Sequence, residues 1–307
     1  MQLNITEAID ELATIQDFLR WTVSALVEYK VALGHGTDDP WDEAVALILP
    51  SLNLSLDIDP QIILARITRT ERQHLAHIVQ RRVQERIPTS YLTNKAWFGG
   101  LEFFVDERVL VPRSPFAEFL QTGLLNWFDE TGPESILELC TGSGCIAILA
   151  ALSYPDAQVK ALDISPEALA VAKKNRETYH LTKDLDLIES DLFAKVGEER
   201  FQLIISNPPY VGETEMDNLP EEYHHEPVLG LASGKDGLDI VRRILQQADQ
   251  FLTDDGLLVV EVGNTDKALQ EAFPEVPFLW LEFDAGGHGV FMLTSQQLKE
   301  FKPSFMA

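Results

Sequence analysis

The fold of this chain is decided by residues 135–145, SILELCTGSGC, where a strand-like run passes into a glycine-rich turn. A helix-like run, CIAILAALSY, begins at the last residue of that segment. Five further strand-like runs follow, at residues 158–163, 185–190, 201–206, 257–262 and 288–293, and helical patterns lie between them. This alternation predicts an α/β domain with a parallel, doubly wound sheet over about residues 116–307.

The residues before this domain show two other patterns. Apolar residues at helical spacing predict one helix over residues 5–26, a second over 41–49 and a third from residue 59 to about residue 86. Residues 1–87 are therefore expected to form a small all-helical domain. Residues 88–115 place Gly99-Gly100 between β-favouring residues, which predicts a linking β-hairpin.

The chain is strongly acidic, with 24 Lys and Arg against 49 Asp and Glu and a formal net charge of -25. This balance disfavours naked nucleic acid as a partner. Residues 61–95 are the basic exception, and they could contact a polyanion such as ribosomal RNA or form a solvated helix face. Two cysteines, no signal peptide and no apolar run of about 18 residues predict a cytoplasmic protein without a membrane span.

The glycine-rich turn predicts a nucleotide-type ligand, which could be either a dinucleotide or S-adenosylmethionine. Gly142, Gly144 and Ala147 match the dinucleotide-binding spacing, and Asp163 ends the next strand where a ribose contact is expected. Glu138 favours S-adenosylmethionine instead, because a carboxylate there would repel a pyrophosphate but attract an ammonium or sulfonium group. Asp191 could accept a hydrogen bond from an adenine amino group, or it could cap a helix.

The tetrapeptide Asn207-Pro208-Pro209-Tyr210 carries the catalytic prediction. Two consecutive prolines make a stiff turn, and this turn follows a strand whose end lies where open α/β sheets bind ligands. The Asn207 side-chain oxygen and the Pro208 carbonyl oxygen can accept the two N–H groups of an amide or amino substrate. Tyr210 then offers a flat face to a planar group.

Together these motifs resemble a class I S-adenosylmethionine-dependent methyltransferase over residues 116–307. The helical region and the hairpin make the chain similar to the protein N(5)-glutamine methyltransferases. Residues 96–101, 111–115 and 223–227 are most similar to the branch that acts on large-subunit ribosomal protein three. The resemblance implies a Rossmann-like, mostly parallel seven-stranded sheet, a substrate-recognising helical domain, and methyl transfer to the side-chain amide nitrogen of a glutamine in that ribosomal protein.

The resemblance also implies roles for individual residues. S-adenosylmethionine would be bound by Glu138, Cys140, Thr141, Gly142, Ser143, Gly144, Asp163, Ile164, Asp191, Leu192 and Asn207. Catalysis would rest on Asn207, Pro208, Pro209 and Tyr210, and the substrate would be bound by Asn207, Pro208, Tyr210, Arg113 and Glu226. No metal site is predicted, because adjacent histidines such as His224-His225 point apart and no further ligands are suitably spaced.

Three other functions stay open on the sequence alone. One is methylation of release factors, although Ser114-Pro115 departs from the motif usual in that branch. Another is methylation of exocyclic amino groups in ribosomal RNA or DNA, whose enzymes share the tetrapeptide of residues 207–210. The third is a non-catalytic domain for a nucleotide-like ligand. The acidic stretch at residues 213–236 is expected to form either an irregular lid that attracts a basic protein or a solvated loop.

Overall fold

A computed structural model describes residues 3–122, 124, 127–128 and 132–306. The chain divides into two units, of which the first comprises Met1–Ala96, Val105–Glu107 and Pro220–His225. The second comprises Trp97–Phe104, Arg108–Leu219 and Glu226–Ala307. Within the described ranges, no helix is both long enough and apolar enough to cross a bilayer.

The first unit is built from helices around one apolar core. These helices are α1 (Ile5–Glu11), α2 (Ile15–Glu28), α3 (Pro40–Ser51), a 3₁₀ helix (Pro60–Leu64), α4 (Arg69–Gln84) and α5 (Thr89–Thr93). The start of α3 is fixed by Asp39, whose side chain accepts hydrogen bonds from the Trp41 and Asp42 N–H groups. Its core includes the fully buried side chains Phe18, Leu19, Leu47, Ile48, Leu75 and Val79.

Two of the helices predicted in this region are interrupted, and a capping box marks the restart of the helix in both cases. Thr14 begins α2 with a capping box, in which its hydroxyl accepts the Asp17 N–H and the Asp17 carboxylate accepts the Thr14 N–H. Thr68 begins α4 in the same way, with Glu71 as its partner. The two breaks also pair with each other through a bridge between Thr14 and Arg66. The apolar spacing predicted continuous helices there, but the capping boxes stabilise new starts.

The hairpin is present but shorter than predicted. Its strands β1 (Ala96–Phe98) and β2 (Leu101–Phe103) pair with each other. The backbone φ angles of Gly99 and Gly100 are 57° and 81°, a left-handed turn that residues other than glycine rarely adopt. The predicted range of residues 88–115 also contains the short helix α5 and an irregular segment after residue 103.

The second unit contains the predicted α/β sheet. Its strands are β3 (Ser135–Leu139), β4 (Gln158–Asp163), β5 (Leu185–Glu189), β6 (Phe201–Ser206), β7 (Leu252–Glu261), β8 (Leu279–Trp280) and β9 (Val290–Thr294). They lie in the order β5-β4-β3-β6-β7-β9-β8. The first five are mutually parallel, and β8 and β9 are antiparallel additions at one edge. The seven-stranded, mostly parallel prediction is confirmed, although β8 had no recognisable run of its own.

Helices and apolar side chains cover both faces of this sheet. The helices of this unit, which include those that cover the sheet, are α6 (Phe116–Thr122), α7 (Cys145–Ser153), α8 (Pro166–Thr178), α9 (Glu213–Met216), α10 (Val228–Leu231), α11 (Asp239–Gln247), α12 (Asp266–Ala272), α13 (Ser295–Glu300) and α14 (Lys302–Phe305). Successive residues of β3 alternate between the two cores, with Ile136 in one and Leu137 in the other. Both faces are therefore dry, as parallel sheets require.

The strand order reverses at β3, and this reversal locates the site. β4 lies on one side of β3 and β6 lies on the other. The chain therefore leaves β3 and β6 in different directions, and a crevice opens beyond their carboxyl ends. Asp163 ends β4, Ser206 ends β6 and Glu261 ends β7, so polar residues collect at this edge.

Candidate functional site

The glycine-rich turn between β3 and α7 depends on left-handed backbone angles. Cys140, Gly142 and Gly144 have φ angles of 59°, 56° and 78°. A Cβ atom on Gly144 would lie 3.1 Å from the Ala172 Cβ, so glycine permits the close approach of α7 and α8. A Cβ atom on Gly142 would meet nothing within 4 Å, because that residue borders open space.

Glu138 is the buried carboxylate of the site, with only 1% of its surface exposed. The Thr141 hydroxyl and the Ala147 N–H donate to its Oε2 atom at 2.5 and 3.0 Å. Its Oε1 atom is buried and has no hydrogen-bond partner among the described residues. Burial raises the pKa of Glu138 to about 8. An unpaired buried oxygen of this kind suits a cationic donor from a ligand.

Asp163 is held by the backbone on both sides. The Gly142 N–H donates to its Oδ2 at 2.8 Å, and the Ser165 N–H donates to its Oδ1 at 2.9 Å. Burial raises the pKa of Asp163, while these backbone N–H groups oppose that rise. The carboxylate therefore has a fixed orientation at the end of β4 and links the glycine-rich turn to the start of α8.

Two adjoining cavities occupy the crevice, of about 180 and about 90 Å³. The larger is lined by Asp163, Ile164, Asp191, Leu192, Pro209 and Arg243, among others. The smaller is lined by Glu138, Thr141, Ser143, Pro208, Tyr210 and Glu261, among others. Cys140, Gly142 and Asn207 line both. Of the predicted cofactor residues, only Gly144 lines neither, and its contribution is the tight packing of α7.

Asp191 lies at the rim of the larger cavity and has a charged partner that the sequence did not indicate. The Arg243 Nη2 atom donates to both Asp191 oxygens at 2.8 Å. Asp191 precedes a 3₁₀ helix, Leu192–Lys195, but its side chain makes no capping hydrogen bond. The carboxylate is thus turned toward α11 and the cavity rather than toward the helix that follows it.

The tetrapeptide after β6 borders both cavities. Ser206 anchors its start, because the Ser206 hydroxyl donates to the Leu139 carbonyl oxygen at 3.0 Å and ties β6 to β3. Asn207 is half-buried and lines both cavities. Its side-chain amide makes no hydrogen bond within the part of the chain that the structure describes. The amide is therefore available to a ligand that enters either cavity.

The absence of side chains at Gly237 and Gly263 leaves room for Tyr210. A Cβ atom on Gly263 would lie 2.6 Å from the Tyr210 ring, and one on Gly237 would lie 2.2 Å from the Tyr210 carbonyl oxygen. The Tyr210 hydroxyl donates to the Glu261 Oε1 at 3.2 Å. Sequence reasoning assigned no role to Glu261, although an acidic residue at the end of the apolar run LLVVEV was a usable signal.

Arg113 and Glu226, both predicted to bind substrate, bind each other. Two Arg113 nitrogens donate to the two Glu226 oxygens, each at 2.7 Å, and the Val111 N–H donates to Glu226 at 2.9 Å. Glu226 is buried, whereas Arg113 also lines the smaller cavity. The pair holds residues 111–113 in place, and only its arginine borders the cavity.

The acidic stretch at residues 213–236 forms short helices, and several of its acidic side chains are paired with arginines. It contains α9, a 3₁₀ helix (Glu221–His225) and α10. Glu222 is buried beside Arg82 and Arg86, Glu226 pairs with Arg113, and Asp236 pairs with Arg242. Glu213 and Asp217 remain exposed on α9 and at its end. The prediction of an irregular lid is wrong, and the acidic surface is smaller than the sequence suggested.

Several arginines of the basic segment at residues 61–95 form ion pairs with acidic residues of the protein. Arg82 is fully buried and donates to the Glu43 carboxylate at 2.7 Å. Arg86 pairs with Glu222 at 3.3 Å, and Arg69 and Arg81 pair with acidic neighbours on the surface. Burying Arg82 beside Glu43 and Glu222 explains part of the local excess of arginine without any polyanion.

Metal and thiol chemistry find no support at the described positions. Among residues 3–122, 124, 127–128 and 132–306, no three His, Cys, Asp or Glu side chains are grouped as metal ligands. Burial raises the pKa of the Cys145 thiol to about 12 and that of the Cys140 thiol further still. Both thiols therefore stay protonated at neutral pH and are poor nucleophiles.

Comparisons with known proteins identify relatives of this chain. Residues 121–222 match the family described as the Methyltransferase small domain. The chain is 43% identical over 300 residues to the ribosomal protein uL3 glutamine methyltransferase of Francisella tularensis, covering 97% of this chain and 96% of that protein. It is 46% identical over 289 residues to the protein of the same name from Bordetella pertussis, covering 94% and 97%.

A solved structure shows the same fold at low sequence identity. The hMettl16 catalytic domain is 16% identical to this chain and has a TM-score of 0.51. The likeness covers 70% of this chain and 80% of that one.

Proposed function

This chain belongs to the ribosomal protein uL3 glutamine methyltransferase family, and on that basis we propose that it methylates the side-chain amide nitrogen of a glutamine in ribosomal protein uL3. The methyl donor in this proposal is S-adenosylmethionine. One structural observation carries the assignment of the site: Asn207, whose side-chain amide is available, lines both the larger and the smaller cavity. It therefore lies where a donor and an acceptor can meet.

The residues of the crevice fit S-adenosylmethionine. The unpaired Oε1 atom of Glu138 suits an ammonium group, and the open space at Gly142 leaves room beside the backbone. Asp163 would accept hydrogen bonds from ribose hydroxyls, since the backbone already fixes its orientation. Ile164 and Leu192 would flank the adenine ring, and Asp191 would accept from its amino group. When bound, the donor supplies a methyl group on a positively charged sulfur.

The acceptor amide would be held by the tetrapeptide. An amide nitrogen is a poor nucleophile because its lone pair is delocalised into the carbonyl group. Asn207 and the Pro208 carbonyl oxygen would accept its two N–H hydrogens and direct the nitrogen toward the methyl carbon, with Tyr210 against the flat amide. Holding two reactants in this way contributes several kcal/mol. The N–C bond would form as the bond between the methyl group and the donor sulfur breaks, and the nitrogen would then lose one proton to solvent, so no strong base is required.

Different observations weigh against the other candidate substrates. The two named relatives argue against release factors, because both are named for methylation of uL3. Contact of residues 61–95 with ribosomal RNA has weaker support, because Arg82 and Arg86 are bound to acidic residues of their own unit. We assign recognition of the protein substrate to the helical region of residues 1–87, and we place the reaction in the cytoplasm, where ribosomal proteins are made.

A substrate competition tests this proposal. The purified chain and S-adenosylmethionine are incubated separately with purified uL3, a release factor and ribosomal RNA, and the products are mapped by mass spectrometry. We expect one glutamine-containing peptide of uL3 to gain the mass of one CH2 group, while the other two remain unchanged. Modification of the release factor or the RNA, with uL3 unmodified, would contradict the substrate assignment.

A further inference from the structure

Glu261 is a buried acidic residue for which the proposed function has no use. It ends β7, only 6% of its surface is exposed, and it lines the smaller cavity together with Tyr210 and Asn207. Burying a carboxylate is unfavourable unless partners compensate it. The place of Glu261 in the cavity wall therefore needs an explanation other than packing.

The hydrogen bonds around Glu261 have a defined direction on one side. The Ser114 hydroxyl lies 2.5 Å from the Glu261 Oε2, and the same oxygen of Ser114 accepts the Phe116 N–H at 3.1 Å. The Ser114 hydroxyl therefore donates to Glu261 while its oxygen accepts the Phe116 N–H. Ser114 thereby fixes one carboxylate oxygen and leaves the other, Oε1, for Tyr210.

The second oxygen holds the catalytic tyrosine. The Tyr210 hydroxyl donates to Oε1 at 3.2 Å, and the ring lies against Gly263, two residues after Glu261. A Cβ atom on Gly263 would lie 2.6 and 2.8 Å from two ring carbons. One short segment at the end of β7 thus provides both a hydrogen-bond acceptor for the hydroxyl and the space for the ring.

We propose that Glu261 is a positioning residue for methyl transfer, which holds the Tyr210 ring in the orientation that receives the acceptor amide. Ser114 supports it by fixing the carboxylate. The inference rests on the proposed function for the identity of the acceptor. It predicts that Glu261 acts on the transfer step through the Tyr210 hydroxyl, and that binding of S-adenosylmethionine in the larger cavity does not depend on it.

A double-mutant cycle tests this dependence. Y210F, E261Q and the double variant are compared with wild type by single-turnover methylation of uL3, with cofactor affinity measured by calorimetry. We expect Y210F, which removes the hydrogen bond, and E261Q, which replaces its charged acceptor by a neutral amide oxygen, each to slow transfer on the order of tenfold. The double variant should be no slower than the slower single variant, and cofactor affinity should stay within about twofold. E199Q, which alters an exposed acidic residue paired with Lys160, serves as the matched control.

The other possible results distinguish a failure of this inference from a failure of the proposed function. Fully additive losses in the double variant would overturn the inference, because Glu261 would then act independently of the hydroxyl. A wild-type rate for Y210F would overturn it even if E261Q failed to fold. If wild type itself transfers no methyl group to glutamine, the proposed function fails and this inference fails with it. An active wild type with additive losses contradicts the inference alone.

Discussion

Arg113 and Glu226 form a two-pronged ion pair, with both N···O distances at 2.7 Å, although 113 positions separate them in the chain. The same carboxylate accepts the buried Val111 N–H. This pair holds the segment that precedes α6 against the segment that precedes α10. Because Glu226 is buried, its two charge-assisted bonds are shielded from water and from salt.

Removal of Glu226 should therefore destabilise the protein. Glu226→Ala leaves Arg113 and the Val111 N–H without this partner, and we expect a loss of about 3 kcal/mol in the free energy of unfolding. Asp236→Asn is the matched control, since it breaks the more exposed pair with Arg242 and should cost less than about 1 kcal/mol. Denaturant unfolding measures both. Equal losses would show that burial does not strengthen the Glu226 pair.

The raised pKa of Glu138 predicts a pH dependence for cofactor binding. Burial raises this pKa from 4.5 to about 8, so much of the cofactor-free protein carries a protonated Glu138 at neutral pH. A cationic ligand favours the ionised form, and binding should release a proton. Affinity for S-adenosylmethionine should increase with pH up to about pH 8 and then level off. Calorimetry in buffers of different ionisation enthalpy measures the proton release, which Glu138→Gln should abolish.

The raised pKa of Glu138 affects the stability of the cofactor-free protein in the opposite direction, because stability falls as pH rises whereas cofactor affinity increases. Between pH 4.5 and about 8 the folded protein binds more protons at Glu138 than the unfolded chain does, so the free energy of unfolding decreases as pH rises through that window. The raised pKa of Asp163 contributes in the same direction. Glu138→Gln should flatten the pH profile of thermal unfolding, and an unchanged profile would contradict the raised pKa of Glu138.

Glu213 and Asp217, two exposed acidic residues of the 213–236 stretch, should speed encounter with a basic protein. Neutralising both, as Glu213→Gln with Asp217→Asn, should lower kcat/KM for uL3 by roughly two- to tenfold at low salt, with less effect as salt rises. Cofactor affinity should not change. Asp255→Asn is the control, because Asp255 is exposed in the first half of β7, at the opposite edge of the sheet. An equal effect of the control would exclude a localised docking surface.

Much of the sheet and the crevice could be predicted because the signals are local. Each parallel strand is an apolar run, and the glycine-rich turn, Asp163 and Asn207 stand directly at strand ends. The order of parallel strands then brings those ends together. The α1–α2 and α4 boundaries were missed for the opposite reason: apolar spacing continues through Thr14 and Thr68, and only the capping boxes interrupt it.

The parts that could not be predicted depend on partners distant in sequence. Glu222, Glu226 and Asp236 looked like one acidic surface, but arginines from three other segments neutralise them. Arg243 was not expected at the cavity, because its charge alone gave no hint that it binds Asp191. The partnership of Glu261 with Tyr210 is likewise visible only once β7 lies beside β6.

We take Asn207 to orient the acceptor amide, and its removal should abolish most of the methyl transfer. In a single-turnover assay with uL3 and saturating S-adenosylmethionine, Asn207→Ala should slow methyl transfer by about a hundredfold or more, as for the loss of a preorganised polar contact. Its cofactor affinity should fall little, because Glu138 and Asp163 are untouched. Asn218→Ala, at an exposed position whose side chain donates to the Thr214 carbonyl oxygen, should transfer at the wild-type rate. A near-wild-type rate for Asn207→Ala would contradict the account.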